Sequence, residues 1–281
     1  MKLKKRTKHI ISIIILVVGI AAIILMDVYT FSFHDPLSLA FKQFFPAKLV
    51  GKHMVSVYDL QNATREIKSL DSSVTNEAVS NQLIRSELLR NLARQNNLSL
   101  RSDAVTDEMT YIRKSDEQAY AEMIRTNFVG SQADFQKFVA YPQAWEALLK
   151  VNYFSDLNLN QKYYTQAQEL LDRTKRGEKF EDLAMQYSDD RVTAQLGGDL
   201  GFFGHGQIIP ELEQEISISK VGQVIDRLVI SRYGYHVIYN VETSEQNGQK
   251  VWHTKHILIQ VPGFEEWFNA QAKSIRVINI L

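Results

Sequence analysis

Hydrophobic and polar positions follow three different rhythms along this chain. From Ile10 to Met26 no side chain is charged, and only Ser12 and Gly19 interrupt the aliphatic run. At ~1.5 Å per residue the run spans ~25 Å, near the short end for a transmembrane helix. Val28, Tyr29, Phe31 and Phe33 extend it into an aromatic interface belt. A three-to-four spacing follows in Val74, Ala78, Leu83, Ile84, Leu88, Leu89 and Leu92, which lays an apolar stripe along one helix face. Thr106-Asp107-Glu108 opens a further helix, with acidic residues at the positive end of its dipole. Phe128, Phe135, Phe138, Val139, Trp145, Leu148 and Leu149 continue the pattern, as a helical bundle core or, where apolar positions are left exposed, a substrate cradle.

Beyond Asn158–Asn160, taken as a linker, the rhythm shortens. Gln161 to Arg176 reads as a helix closed by Gly177, and Phe180, Leu183 and Ala184 mark the buried face of the next. Pro210 suits the first turn of a helix presenting Leu212 and Ile216. Val221–Val224 and Arg227–Ile230 read as a turn and a strand. Tyr235 to Glu242 alternates as a second strand, with His236, Ile238 and Asn240 on one face and Val237, Tyr239 and Val241 on the other.

Composition narrows the class. The 281 residues suit about two domains plus extras. There is no cysteine, which excludes disulfides, thiolate nucleophiles and thiolate metal sites. Net charge is zero, but five basic residues (Lys2, Lys4, Lys5, Arg6 and Lys8) precede residue 9 while every acidic residue lies beyond it. The body is therefore net acidic and a poor partner for nucleic acid. The basic cluster predicts a cytoplasmic amino terminus and an extracytoplasmic body at the cell membrane. A cleaved signal peptide is the rival. No small-x-small site followed by a polar mature start is visible, so an uncleaved single-pass anchor is favoured.

The candidate chemistry gathers around Gly197-Gly198-Asp199-Leu200-Gly201-Phe202-Phe203-Gly204-His205-Gly206-Gln207. Glycine at this density marks backbone at positive φ or a close approach by a ligand. The expectation is a loop over a pocket, with Leu200 and Phe203 in its apolar wall. A tight structural turn whose phenylalanines plug a core is the alternative. Upstream stands Gly177 to Asp190, with Phe180-Glu181-Asp182-Leu183-Ala184 and Tyr187-Ser188-Asp189-Asp190. Downstream stand Gln207-Ile208-Ile209-Pro210-Glu211-Leu212 and Tyr233-Gly234-Tyr235-His236-Val237-Ile238.

That order of motifs, over roughly residues 162–242, resembles the parvulin family of peptidyl-prolyl isomerases, in the form found in extracytoplasmic foldases of the SurA and PrsA type. Lys48–Val55 is similar, more weakly, to the opening of the SurA-type chaperone domain. The resemblance implies an α+β protein. Residues 1–28 form the basic stub and anchor, and 29–45 a connector broken by Pro36 and Pro46. Residues 46–158 form a helical chaperone domain, 159–261 a parvulin-like domain with a four-stranded antiparallel sheet, and 262–281 a closing helix and strand. The helix is Phe264 to Lys273; the strand, Arg276 to Leu281, is expected to pair with Lys48–Val55.

A parvulin domain opens with a strand carrying His-Ile-Leu, and no such strand precedes Lys162. The pattern stands instead at Trp252-His253-Thr254-Lys255-His256-Ile257-Leu258-Ile259. A circular permutation, with this strand supplied from behind, pairs His236 with His256. Placing the two opposite each other leaves a five-residue loop, Ser244–Gly248. The competing two-residue Asn247-Gly248 turn sets His236 opposite Ile259 and the two imidazoles on opposite faces. A third reading starts a truncated second domain at Trp252, or pairs it with another molecule. His253 and His256 face opposite ways on a strand, so they share no metal ion. His205 is read as solvent-facing.

The resemblance implies catalytic roles for His236, His256 and Asp190 on a polar floor. It seats a proline ring against Leu200, Ile208 and Leu212, beside Phe203, with Gln207 and Tyr233 as further substrate-binding positions. No cofactor is called for. Ile208 stands where the family often has methionine, and Leu212 where it often has phenylalanine, which loosens the wall. Permutation also removes the loop that reads phosphate in phospho-specific parvulins. The expected function is that of a membrane-anchored prolyl isomerase and folding factor for exported, proline-containing polypeptides. A holdase with a weak or inactive isomerase domain, and a purely architectural envelope protein, are the alternatives.

Overall fold

The computed structural model describes residues 41–70, 72–126 and 131–281. The expected anchor, most of the connector and Phe128 lie outside the described residues. Among the described residues no helix is long and apolar enough to cross a membrane. The fold is mixed α+β, with a helical region and two antiparallel sheets. It divides into two compact units, one ending at Glu87 and taking in Ile275–Leu281, the other running from Leu88 to Ser274.

In the first unit, β1 (Pro46–Val50) and β2 (His53–Ser56) form a hairpin through Gly51. The far edge of β1 takes β8 (Val277–Asn279), with Leu49 opposite Ile278. The expected partnership of the closing strand is thus found, over three residues. Helix α1 (Val57–Leu70) follows, and Val57 and Ala47 are fully buried beside Phe41, Phe45 and Leu60. The boundary at Glu87 falls within α2 (Asn76–Gln95).

The second unit continues through α3 (Ala104–Ser115), α4 (Glu117–Thr126), α5 (Gln132–Phe135), a π-helical turn (Gln136–Ala140) and α6 (Tyr141–Ser155). The linker expected at Asn158–Asn160 is helical instead. Asp156 alone breaks the chain, and its carboxylate accepts the Asn158 N–H at 3.0 Å to start α7 (Leu157–Lys175). Then come α8 (Phe180–Tyr187), α9 (Arg191–Ala194), β3 (Asp199–Gly204), α10 (Pro210–Ile218), β4 (Gln223–Val224) and β5 (Val229–Ser231). The long hairpin β6 (Gly234–Gln246) and β7 (Gln249–Gln260) is followed by α11 (Phe264–Ala272).

Two corrections concern the sheet. The glycine-rich stretch is not wholly a loop, because Asp199–Gly204 pairs with β7, with a bulge between Asp199 and Phe202. The sheet also has five strands rather than four, in the order β3-β7-β6-β4 with β5 on β6. Strand β7, which follows β6 in sequence, therefore lies between β6 and β3. Its far end is clasped by the α8–α9 turn: Asp189 N–H donates to Leu258 O at 2.8 Å, and Ser188 Oγ accepts the Leu258 N–H at 3.1 Å.

The register matches neither expectation. The two-residue Asn247-Gly248 turn forms, with Gln246 opposite Gln249 and Asn247 at φ 51°. Alone it would send the two histidines to opposite faces. The ladder shifts by one residue at Val241, however, between Asn240↔Thr254 and Glu242↔His253. That bulge restores the parity, so His236 pairs with Leu258 and His256 with Ile238. The two imidazoles are diagonal neighbours on one face.

Helices α7 and α8 cover the other face. The rings of Tyr164 and Tyr235 meet edge-on at 5.8 Å, and Phe180 lies 5.9 Å from Tyr239. The histidine face carries Ile238, which is buried with Leu212 and Ile216 of α10, Phe203 of β3, and Ile209, Ile225, Val229 and Trp252.

Candidate functional site

The bulged hairpin brings His236 Nδ1 to 3.1 Å from His256 Nδ1, with the rings stacked at 20°. His256 Nε2 lies 2.9 Å from Asp190 Oδ2, and Ser231 Oγ lies 2.7 Å from His236 Nε2. The Tyr233 N–H donates to Ser231 Oγ at 3.1 Å. One proton arrangement satisfies every link. A carboxylate only accepts, so His256 donates from Nε2 and accepts at Nδ1. His236 then donates from Nδ1 and accepts at Nε2 from the Ser231 hydroxyl. The chain runs Tyr233 N–H, Ser231, His236, His256, Asp190, with both imidazoles neutral.

Local structure fixes each member. Asp190 caps α9, its Oδ1 accepting the Val192 and Thr193 N–H groups at 3.2 and 3.4 Å. The Thr193 hydroxyl donates to Asp190 Oδ2 at 2.8 Å and lies 3.0 Å from His256 Nε2. The His256 N–H donates to Gly198 O at 2.8 Å. Gly198 has φ 81°, and a Cβ there would lie 2.3 Å from His256 O, so only glycine fits. Ser231 sits on β5 across the tight Arg232-Tyr233 turn, in register with Gly234.

Electrostatics agree with a neutral pair. Burial, then the charge of His256, pushes His236 well below the usual imidazole range, against a smaller opposing pull from Asp190. Burial also lowers His256, offset in part by its hydrogen bond to Asp190. Burial raises Asp190, but hydrogen bonds from Thr193 and His256 outweigh it and leave the carboxyl below its ordinary value.

The other named positions sort by exposure. Phe203 and Leu212 are buried in the apolar cluster, and Leu200 and Ile208 are half-buried against it. Gln207 is exposed, and its Oε1 accepts the Gly204 N–H at 2.6 Å, closing the β3 turn. Tyr233 is half exposed at the turn beside Ser231. His205 is exposed and its Nδ1 lies 2.5 Å from Glu213 Oε1, away from the histidine pair. His253 faces away from the pair, 2.8 Å from Asp199, with the Phe202 ring tilted 32° against it at 4.8 Å. Among the described residues no group of three or more histidine or carboxylate side chains is placed to hold a metal ion.

Four contributors escaped the sequence reading: Ser231, Thr193, Arg232 and Glu108. Arg232 forks onto Glu108 at 2.8 and 2.6 Å and onto Glu211 at 2.9 and 3.1 Å. Burial lowers the guanidinium pKa, but the Glu108 hydrogen bond and the Glu211 charge raise it further. Glu108 lies 124 residues away in sequence and reads there as a solvated helix start. Ser231 had a faint signal, a small polar residue closing a strand just before the tyrosine-glycine turn.

Residues 148–242 match the Rotamase family, described as a PPIC-type PPIASE domain. They are therefore a parvulin-type domain, of the peptidyl-prolyl isomerase class. Among curated relatives, the chain is 27% identical over 202 residues to the foldase protein PrsA of Geobacillus sp. (strain WCH70), covering 64% of this chain and 72% of that protein. It is 43% identical over 72 residues to the foldase protein PrsA of Caldanaerobacter subterraneus subsp. tengcongensis, covering 26% and 23%. It is 38% identical over 93 residues to the chaperone SurA of Nitrosospira multiformis, covering 33% and 21%. A crystal structure of peptidylprolyl isomerase (PrsA) from Bacillus anthracis aligns with 69% of this chain and 85% of its own, at 19% identity and a TM-score of 0.23.

Proposed function

We propose that this chain is a membrane-anchored, extracytoplasmic prolyl isomerase that helps exported proteins fold, acting on extended, proline-containing polypeptides. The observation that carries this reading is the hydrogen-bonded chain from Asp190 through His256 and His236 to Ser231. It shares its sheet face with the apolar cluster of Phe203, Leu212, Leu200 and Ile208.

The reaction breaks no covalent bond. Rotation about an X–Pro amide crosses a barrier of ~20 kcal/mol set by amide resonance. A site lowers it by holding the ring in a dry seat and meeting the twisted carbonyl with oriented polar groups. The two neutral imidazoles fix each other's tautomer and keep the polar floor rigid, and they need shuttle no proton. In this reading Gln207 and Tyr233, both exposed to solvent, are the further residues that contact the peptide.

The isomerase domain is best read as circularly permuted. The family match ends at Glu242, yet the His-Ile-Leu strand after it lies between β6 and β3. Its histidine meets the one on β6. The anchor rests on the basic cluster and the apolar run Ile10–Met26.

The burial of Phe203 and Leu212 favours one alternative, a holdase whose isomerase site stays shut. A protease-coupled assay on a proline peptide separates the two. The isomerase accelerates the slow phase and loses this with His256→Ala, whereas the holdase suppresses aggregation without any acceleration.

A further inference from the structure

Helix α3 lies outside the sheet, yet three of its side chains meet the proposed site or the segments that flank it. Tyr111 packs, half-buried, with Leu200 and Ile208 against the cluster that holds Phe203 and Leu212. Thr110 faces the glycine segment, where a Cβ added at Gly206 would lie 2.5 Å from its Cγ2. Glu108, 1% exposed, grips Arg232, the residue between Ser231 and Tyr233. The seat is shut. Phe203 is 6% and Leu212 3% exposed, so a proline ring reaches them only by displacing a neighbour. Of the half-buried residues packed against the cluster, Tyr111 comes from α3, whereas Leu200 and Ile208 come from β3 and the turn after it.

The rest of α3 faces elsewhere. Val105, Met109 and Ile112 pack with Leu100 on Ala140 and Ala144. Beside the Glu108–Arg232 pair, the contact opens into a cavity of about 190 Å³ lined by Leu100, Ala104, Leu148 and Pro210. The Tyr111 ring, the approach of Thr110 to Gly206 and the forked Glu108–Arg232 ion pair hold this side of the helix to the site.

We propose that α3 is a lid over the proline seat. Tyr111 occupies the place of the substrate ring, and Glu108–Arg232 is the latch. A proline-containing chain binds by taking the seat from Tyr111, so only the fraction of molecules with α3 lifted is competent. This rests on the prolyl-isomerase reading of the same site, and it predicts a site that is weak on short peptides and opened by longer ones that also engage the helical region.

The test is calorimetric titration of the full chain with a tetrapeptide containing a central Ala–Pro bond, alongside isomerisation of the same peptide. With the open form populated at about one molecule in ten, Tyr111→Ala raises apparent affinity about tenfold. Glu108→Gln, which keeps the ring and loosens the latch, shifts it the same way by less. Adding peptide to the unaltered protein speeds hydrogen exchange of the α3 amides. Peptide affinity unchanged or weakened in both variants overturns the lid, as does slower exchange in α3. Tighter binding with no isomerisation in any variant upholds the lid and removes the catalytic reading. Isomerisation by the parent with no gain in binding removes the lid alone.

Discussion

His236 and His256 meet at 3.1 Å on a diagonal of the hairpin, because the ladder slips by one residue at Val241. Side-chain direction in a strand has a period of two, so a single inserted residue decides which face a whole strand presents. The turn alone sets one parity and the bulge reverses it. Deleting Val241 removes the second step, leaving either the turn or the histidine contact unsatisfied. The expected loss is about 3 kcal/mol or more, in the range of a broken buried network. Chemical denaturation of the deletion variant beside Val241→Ala checks it, since the substitution keeps the bulge and costs much less.

The buried imidazoles predict a pH dependence with a definite sign. Both have folded-state pKa values below the ordinary one, so between the two values the unfolded chain binds more protons than the native one. Their effect on stability is absent above about pH 6.5 and grows as the pH falls below it. Asp190 acts lower down. Its depressed pKa adds stability above the ordinary carboxylate value that is lost as pH drops through the folded value. Thermal melts from pH 8 to pH 5 show a plateau and then a decline, and His236→Asn/His256→Asn flattens the decline.

Two neighbouring glycines of the β3 segment separate steric need from conformational preference. Gly198 has φ 81° and no room for a Cβ against His256 O, whereas Gly201 has φ 68° and open space around it. Gly201→Ala costs about 1–2 kcal/mol, the left-handed penalty alone. Gly198→Ala costs more, because β7 must also move, and it disturbs His256. Melting temperatures of the pair, read with the activity of each, test the ranking.

The ion pairs around Arg232 are buried, with side chains 12% and 2% exposed for Arg232 and Glu108. Removing Glu108 leaves the Arg232 guanidinium half-satisfied, with Glu211 as its remaining carboxylate partner, so Glu108→Ala destabilises by about 1–3 kcal/mol. Glu108→Ala/Arg232→Met costs less than the two single changes together, because the changes share one network. A double-mutant cycle by urea unfolding measures the coupling.

Much of this site is legible along the chain. Pro210 carries a local physical cause and starts its helix as that cause requires, and the His-Ile-Leu pattern, read from the family resemblance, forms a strand beside Tyr235–Glu242. The fifth strand and the strand character of Asp199–Gly204 do not follow from local propensity, since glycine-rich sequence pairs only when a neighbour such as β7 is available. The bulge at Val241 leaves no mark in an alternating strand whose ends are both acceptable. Glu108 and Tyr111 look like ordinary helix positions, because their partners, Arg232 for one and Leu200 and Ile208 for the other, lie far along the chain. Sequence reports period and punctuation, while parity errors and distant polar pairs belong to the assembled fold.

The central claim is that these residues speed rotation about a prolyl bond. Exchange NMR on a proline tetrapeptide at equilibrium measures it without a coupling protease. The account predicts cis–trans exchange accelerated by the full chain, and reduced about a hundredfold by His236→Asn/His256→Asn, within the range for positioned polar catalytic groups. Equal exchange rates with the parent protein, the double variant and no protein at all would contradict it.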